Sequence, residues 1–171
     1  MEQDYLALFG LGSNTVLDLP ETKKGLLPSR KWKEESRGEP WYQGDTVNIG
    51  IGQGDLLVTP MQLATAMSVI ANRGKWVSPR MLKSGSDLIK ASNVKIMDDI
   101  DVIPKRYWDY IISSMEMVVH RGNQEYGENG TAWAYIGQDI PYRMAGKSGT
   151  AQVVEIKQDE EYDDESLDER Q

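Results

Sequence analysis

Apolar residues at helical spacing mark two helices in this chain. Leu63, Ala66, Met67 and Ile70 repeat at that spacing, with Thr59, Pro60 and Gln62 in front of them. Thr at the N-cap, Pro at the first helical position and Gln at the third form a capping box, in which hydroxyl and amide each satisfy a backbone N–H that the first turn leaves free. Gly74 closes the segment. A second helix is predicted from Pro104 to His120, where Trp108, Ile111, Ile112, Met115, Val118 and Val119 make an apolar stripe that stops before Gly122. Tyr5 to Phe9 read as the last turns of another helix, stopped by Gly10 and Gly12. Lys75 to Val77 and Val94 to Met97 read as short strands. So does the run from Ala145, whose alternation is loose but which gains β-branched residues at Val153, Val154 and Ile156.

The candidate chemistry lies on that last run. Lys147, Ser148, Gly149 and Thr150 put a cation, two hydroxyls and a side-chain-free position in sequence. On a strand, Lys147 and Gly149 face one side and Ser148 and Thr150 the other, and Gly149 lets another backbone approach. Such an edge suits an anionic, extended ligand; on these residues alone a solvated strand suits equally well. A phosphate-cradling P-loop is excluded, because Pro141 stands where that motif needs its first glycine. The run Gly50-Ile51-Gly52-Gln53-Gly54 fails as a dinucleotide fingerprint, since Asp55 falls where the third glycine belongs. Those glycines read instead as close packing or an unusual turn ahead of Thr59, with Asp55 in a loop. His120 is the only histidine and closes the second helix, where the helix dipole favours a cation, so a structural role is the simpler reading. No metal site and no cofactor are expected: cysteine is absent, and no Asp-rich loop has ligand spacing.

Composition narrows the partners. The 171 residues fit one domain or part of one, and five Trp and eight Tyr against one Phe suit half-wet grooves as well as a core. The formal charge of -8 is concentrated: nine acidic and two basic residues follow from Glu155 onward, and the rest of the chain is close to neutral. Residues 155–171 are therefore expected to be an acidic, solvated and mobile segment. Without a basic stripe, a nucleic-acid partner is disfavoured. No apolar run has the length of a membrane span, and the N-terminus lacks the basic and apolar regions of a signal peptide.

Four stretches resemble the transpeptidase domain of class B penicillin-binding proteins, and most closely the penicillin-binding protein 2 group. They are Phe9-Gly10-Leu11-Gly12 with Asp18-Leu19-Pro20, Trp41-Tyr42-Gln43-Gly44-Asp45-Thr46, Asn48 to Gly54 with Val58-Thr59-Pro60, and Ala145 to Val153. Their order and spacing match the family across nearly the whole chain. The resemblance implies an α+β fold with an antiparallel sheet and flanking helices, and a small hairpin between the two predicted helices. It also implies three catalytic motifs, Ser-x-x-Lys with the nucleophile, Ser-x-Asn, and Lys-Ser/Thr-Gly. The third alone stands in its family position. Ser92-Asn93-Val94-Lys95 has the letters of the first but lies after the Gly50 to Gly54 run instead of before it, and no Ser-x-Asn occurs. Residues 1–171 are therefore expected to be a partial transpeptidase domain, incomplete at both ends.

By that resemblance the parent enzyme crosslinks peptidoglycan stem peptides through a serine acyl-enzyme and is acylated by β-lactams. Lys147 then supplies charge for the substrate carboxylate and for proton transfer, Ser148 and Thr150 supply hydroxyls, and the Thr150 N–H is an oxyanion donor. Gly149 and Gln152 line the same edge. Elongation-machinery membrane proteins are the implied partners, and the periplasmic face of the bacterial inner membrane, reached by an anchor upstream, is the implied location. Two alternatives remain open here: a β-lactamase or D,D-carboxypeptidase relative, and a non-catalytic binding or regulatory module.

Overall fold

The computed structural model describes residues 2–16, 22–81, 97–123, 125 and 127–150. Helix α1 spans Glu2–Leu8, α2 Arg30–Arg37, α3 Gln43–Gly50, α4 Pro60–Ala71 and α5 Lys105–His120, followed by a π-helical turn at Trp133–Gly137. The β-type pairing among the described residues is one antiparallel bridge, in which Leu26 and Leu57 exchange N–H to C=O bonds of 2.7 and 2.9 Å. The expected antiparallel sheet is not present among these residues, so helices carry the described architecture. The acidic residues 155–171 and Gln152 lie outside them, as do Val94 to Ile96.

Helix α4 begins as the capping box predicts. Thr59 Oγ1 accepts from the Gln62 N–H at 3.1 Å, and Gln62 Oε1 accepts from the Thr59 N–H at 2.9 Å. Its end is a turn through Gly74 at φ +86°, a left-handed conformation that suits glycine. The buried face, however, is Gln62, Thr65 and Val69, while Leu63 and Met67 are exposed, Leu63 by 51%. The reason is polar. The Gln62 amide also donates to the carbonyls of Ser13 and Lys24, each at 2.8 Å, which draws this face inward and satisfies the buried group.

Helix α5 coincides with the predicted span, and Trp108 and Val119 are its buried residues. Ile111, predicted for the core stripe, is exposed. The core itself gathers Val69 of α4, Trp108 of α5, Trp76 and Ile100, with Leu8, Phe9, Ile70, Met97 and Ile103 against them. Both indoles satisfy their N–H groups in passing: Trp76 Nε1 donates to the Leu8 carbonyl at 3.0 Å and Trp108 Nε1 to that of Ile103 at 3.2 Å. Phe9 meets Trp108 edge-on, with ring centroids 6.0 Å apart.

Lys75 to Val77 is not a strand. The Trp76 N–H donates to the Asp99 carboxylate at 2.8 Å, and the Ile100 N–H to the Gly74 carbonyl at 2.8 Å, so side-chain and turn bonds replace a ladder there. Helices α2 and α3 are additions to the sequence reading. Ser29 caps α2 by accepting from the Trp32 N–H at 2.9 Å, and Gly38 ends it.

Candidate active-site segment

The C-terminal half of α5 organises the described chain that follows it as far as Gly146. A helix end leaves its last carbonyls without helical partners. Here the Val118 carbonyl accepts from the Ala132 N–H at 3.0 Å and the Arg121 carbonyl from the Gly130 N–H at 2.7 Å. This approach is close enough that a Cβ on Gly130 would collide with the Met117 and Val118 carbonyls, and one on Gly137 with that of Val119. The chain is thereby folded back along α5, and the next residues meet the helix again.

Three contacts hold them. The Arg143 guanidinium pairs with the Glu116 carboxylate. The Met144 N–H donates to His120 Nε2 at 2.9 Å, and the Gly146 N–H to the Met115 carbonyl at 3.1 Å. A ring nitrogen that accepts carries no proton, so this His120 is held as the Nδ1–H form. His120 thus serves here as a hydrogen-bond acceptor and not as a cation on the helix dipole. These anchors were not foreseen, although Glu116 and His120 stand four residues apart and so share one face of the predicted helix.

Beyond the anchors, Lys147, Ser148, Gly149 and Thr150 are all exposed and form no helix. Nor do they pair as a strand with other described residues, and Val153, Val154 and Ile156, whose β-branched side chains suggested the strand, lie outside those residues. The Lys147 ammonium reaches the Ser148 carbonyl and stands 3.4 Å from Ser148 Oγ. The structure therefore presents four of the five predicted site residues together on the surface.

The run Trp41 to Thr46 builds a corner rather than a site. Trp41 Nε1 donates to Thr46 Oγ1 at 2.9 Å, and the Tyr42 N–H to the Asp45 carboxylate at 2.7 Å. Lys33 of α2 is buried beneath, its ammonium 2.7 Å from Asp45, 3.8 Å from Glu39 and 4.5 Å from the centre of the Tyr42 ring. The Lys33 hydrogen bond, then the Tyr42 N–H, hold the Asp45 carboxyl below its usual range. Gly52 and Gly54 make the turn after α3, as the sequence suggests. Asp55 lies in that turn and pairs with Arg37 of α2.

The family model of the penicillin binding protein transpeptidase domain matches residues 2–167. This chain belongs to that family. Among its transpeptidase relatives, the peptidoglycan D,D-transpeptidase MrdA of Salmonella typhimurium is 36% identical over 160 residues, covering 92% of this chain and 25% of the relative. MrdA of Escherichia coli K12 is 35% identical over 173 residues, covering 98% of the chain and 26% of the relative. Among solved structures, Pseudomonas aeruginosa PBP2 in complex with WCK 5153 superposes with a TM-score of 0.76 at 38% identity, over 88% of this chain and 32% of that one. Helicobacter pylori PBP2 in its complex with MreC gives 0.71 at 28% identity, over 88% and 26%. The chain thus has the transpeptidase fold over its matched length and spans about a quarter of the curated relatives.

Proposed function

We propose that this chain supplies the substrate-binding Lys-Ser-Gly-Thr edge of a peptidoglycan D,D-transpeptidase. The observation that carries the reading is the exposed Lys147–Thr150 segment, anchored to α5 immediately before its first site residue, in a chain of the penicillin-binding transpeptidase family. In the complete enzyme this segment is an edge strand of an antiparallel sheet, and the substrate's extended peptide pairs with it as an added strand.

The chemistry follows from the groups available. A serine outside this chain attacks the carbonyl of the penultimate D-alanine in a D-alanyl-D-alanine stem. The carbonyl oxygen takes up negative charge, and the Thr150 N–H donates to it alongside the serine's own N–H. Expulsion of the terminal D-alanine leaves an ester, which an amine of a neighbouring stem opens to form the crosslink. Lys147 sets a fixed positive potential for the substrate carboxylate and for proton transfer near the second catalytic serine. Thr150 Oγ1 donates to that carboxylate, Ser148 assists, and Gly149 and Gln152 line the edge. β-Lactams enter as mimics of the stem. The location is the periplasmic face of the inner membrane, with elongation-machinery membrane proteins as partners; among the described residues no helix is long and apolar enough to cross a membrane.

A fluorescent penicillin tests the reading. The 171-residue chain alone should form no covalent adduct, because it carries no Ser-x-x-Lys in the family's position. A fusion of the serine-bearing part of Escherichia coli MrdA to this chain should be labelled, and Lys147→Ala in that fusion should slow labelling by at least about 100-fold, the loss typical of removing one preorganised electrostatic group. Undiminished labelling of that variant, or stoichiometric labelling of the chain alone, overturns the proposal. Rapid release of the label by water would favour a β-lactamase instead.

A further inference from the structure

His120 is the point at which a titratable side chain touches the backbone that leads into the site. Its Nε2 accepts from the Met144 N–H at 2.9 Å, two residues before Gly146 donates to the Met115 carbonyl at 3.1 Å. Both anchored N–H groups therefore meet the same helix, α5. On the last turns of α5 and the chain folded back on it, Glu116 and Arg143 are paired with each other, and Arg121 stands 3.6 Å from Glu128. The π turn Trp133–Gly137 brings no charged residue.

We infer that His120 is a positioning residue for the Lys147–Thr150 edge: its unprotonated Nε2 sets where the segment leaves α5, and a second proton on the ring releases the Met144 anchor. An imidazolium donates from both nitrogens and has no lone pair for the Met144 N–H, so protonation sets two donors against each other. The inference rests on the transpeptidase reading for its functional consequence. Met144 and Gly146 are the last two anchored positions before Lys147, so the lead into the segment is fixed to α5 at two points. Loss of the Met144 bond leaves the lead into Lys147–Thr150 held at Gly146 alone and widens the range of directions in which that segment leaves α5. Gly146 stays tied to Met115, so the release is a hinge and not an unfolding.

Because His120 is the only histidine, its ring nitrogens can be observed without assignment ambiguity in the 15N-labelled 171-residue chain. At pH values where the ring is neutral, long-range 1H–15N spectra should show the Nδ1–H tautomer, opposite to the form a free histidine side chain prefers. His120→Gln, whose side-chain oxygen can accept the same N–H, should keep the Met144 amide protected. His120→Phe should speed its exchange about five- to tenfold, the equivalent of one hydrogen bond. An Nε2–H tautomer, an averaged mixture, or unchanged exchange in His120→Phe overturns the inference. In the MrdA fusion, penicillin labelling of the wild type should fall as the ring protonates, and His120→Gln should lack that component of the pH profile. His120→Phe should label about tenfold more slowly at every pH, in line with one lost hydrogen bond. Equal rates in His120→Phe and wild type defeat the positioning role while leaving the transpeptidase reading intact. An unlabelled wild-type fusion defeats the transpeptidase reading and the functional half of this inference, whatever the tautomer.

Discussion

Gln62 joins three parts of the chain through one amide. Its oxygen accepts from the Thr59 N–H, and its nitrogen donates to the carbonyls of Ser13 and Lys24, with Gly10 at 3.5 Å. The side chain is 1% exposed, so its amide has no water to turn to in place of these carbonyls. Gln62→Leu keeps the volume and deletes the amide, which should cost about 1–3 kcal/mol for the acceptors left unpaired. Urea unfolding measures this, and a change within about 0.5 kcal/mol of zero would show that the bonds are dispensable. The motif was legible, because Thr-Pro-x-Gln before an apolar run is a local pattern. The reach of Gln62 to Ser13 and Lys24 was not, since nothing in a capping box says what approaches the outer face of the amide. The same holds for His120, readable as a helix-end residue but not as the acceptor for a backbone group 24 positions later.

Helix pairs carry a second kind of information, visible where α2 meets α3. Asp45 accepts both the Tyr42 N–H and the buried Lys33 ammonium, each at 2.7 Å. Its folded-state pKa lies below the ordinary 3.8, so the carboxylate contributes stability that is complete above that value and is lost as pH falls through the lower, folded-state value. The thermal midpoint of the wild-type chain should therefore drop on acidification below about pH 4, and Asp45→Asn should flatten that limb. Parallel acid limbs in the two proteins would remove Asp45 from the account. On α4, Thr59→Ala deletes a hydroxyl that accepts the Gln62 N–H and should cost about 1 kcal/mol, read from the same urea titration. Sequence reasoning found α4 and α5 because caps and 3.6-residue periodicity coincide there. It passed over α2, a largely polar segment whose ends are marked only by the Ser29 cap and Gly38. It passed over α3 because its apolar residues make no clear stripe.

Across the whole molecule, the core depends on Trp108, which is 2% exposed and touches Phe9 while bonding to Ile103. Trp108→Ala should destabilise the chain by about 3–5 kcal/mol, through lost burial and the cavity left behind. A loss under about 1 kcal/mol in denaturant unfolding would place the core elsewhere. Local chemistry written in the chain was sufficient for the ends of α4 and α5, the glycine turns and the family, since caps, periodicity and ordered motifs act between near neighbours. Which faces are buried was a different matter. Leu63 and Ile111 are exposed while Gln62 and Thr65 are enclosed, because burial depends on which distant carbonyls and rings arrive at a helix face. The placement of the candidate site was settled in the same way: Lys147 to Thr150 leave α5 where they do because Glu116, Met115 and His120 hold Arg143, Gly146 and Met144, and contacts between such distant positions exist only once the chain has folded back.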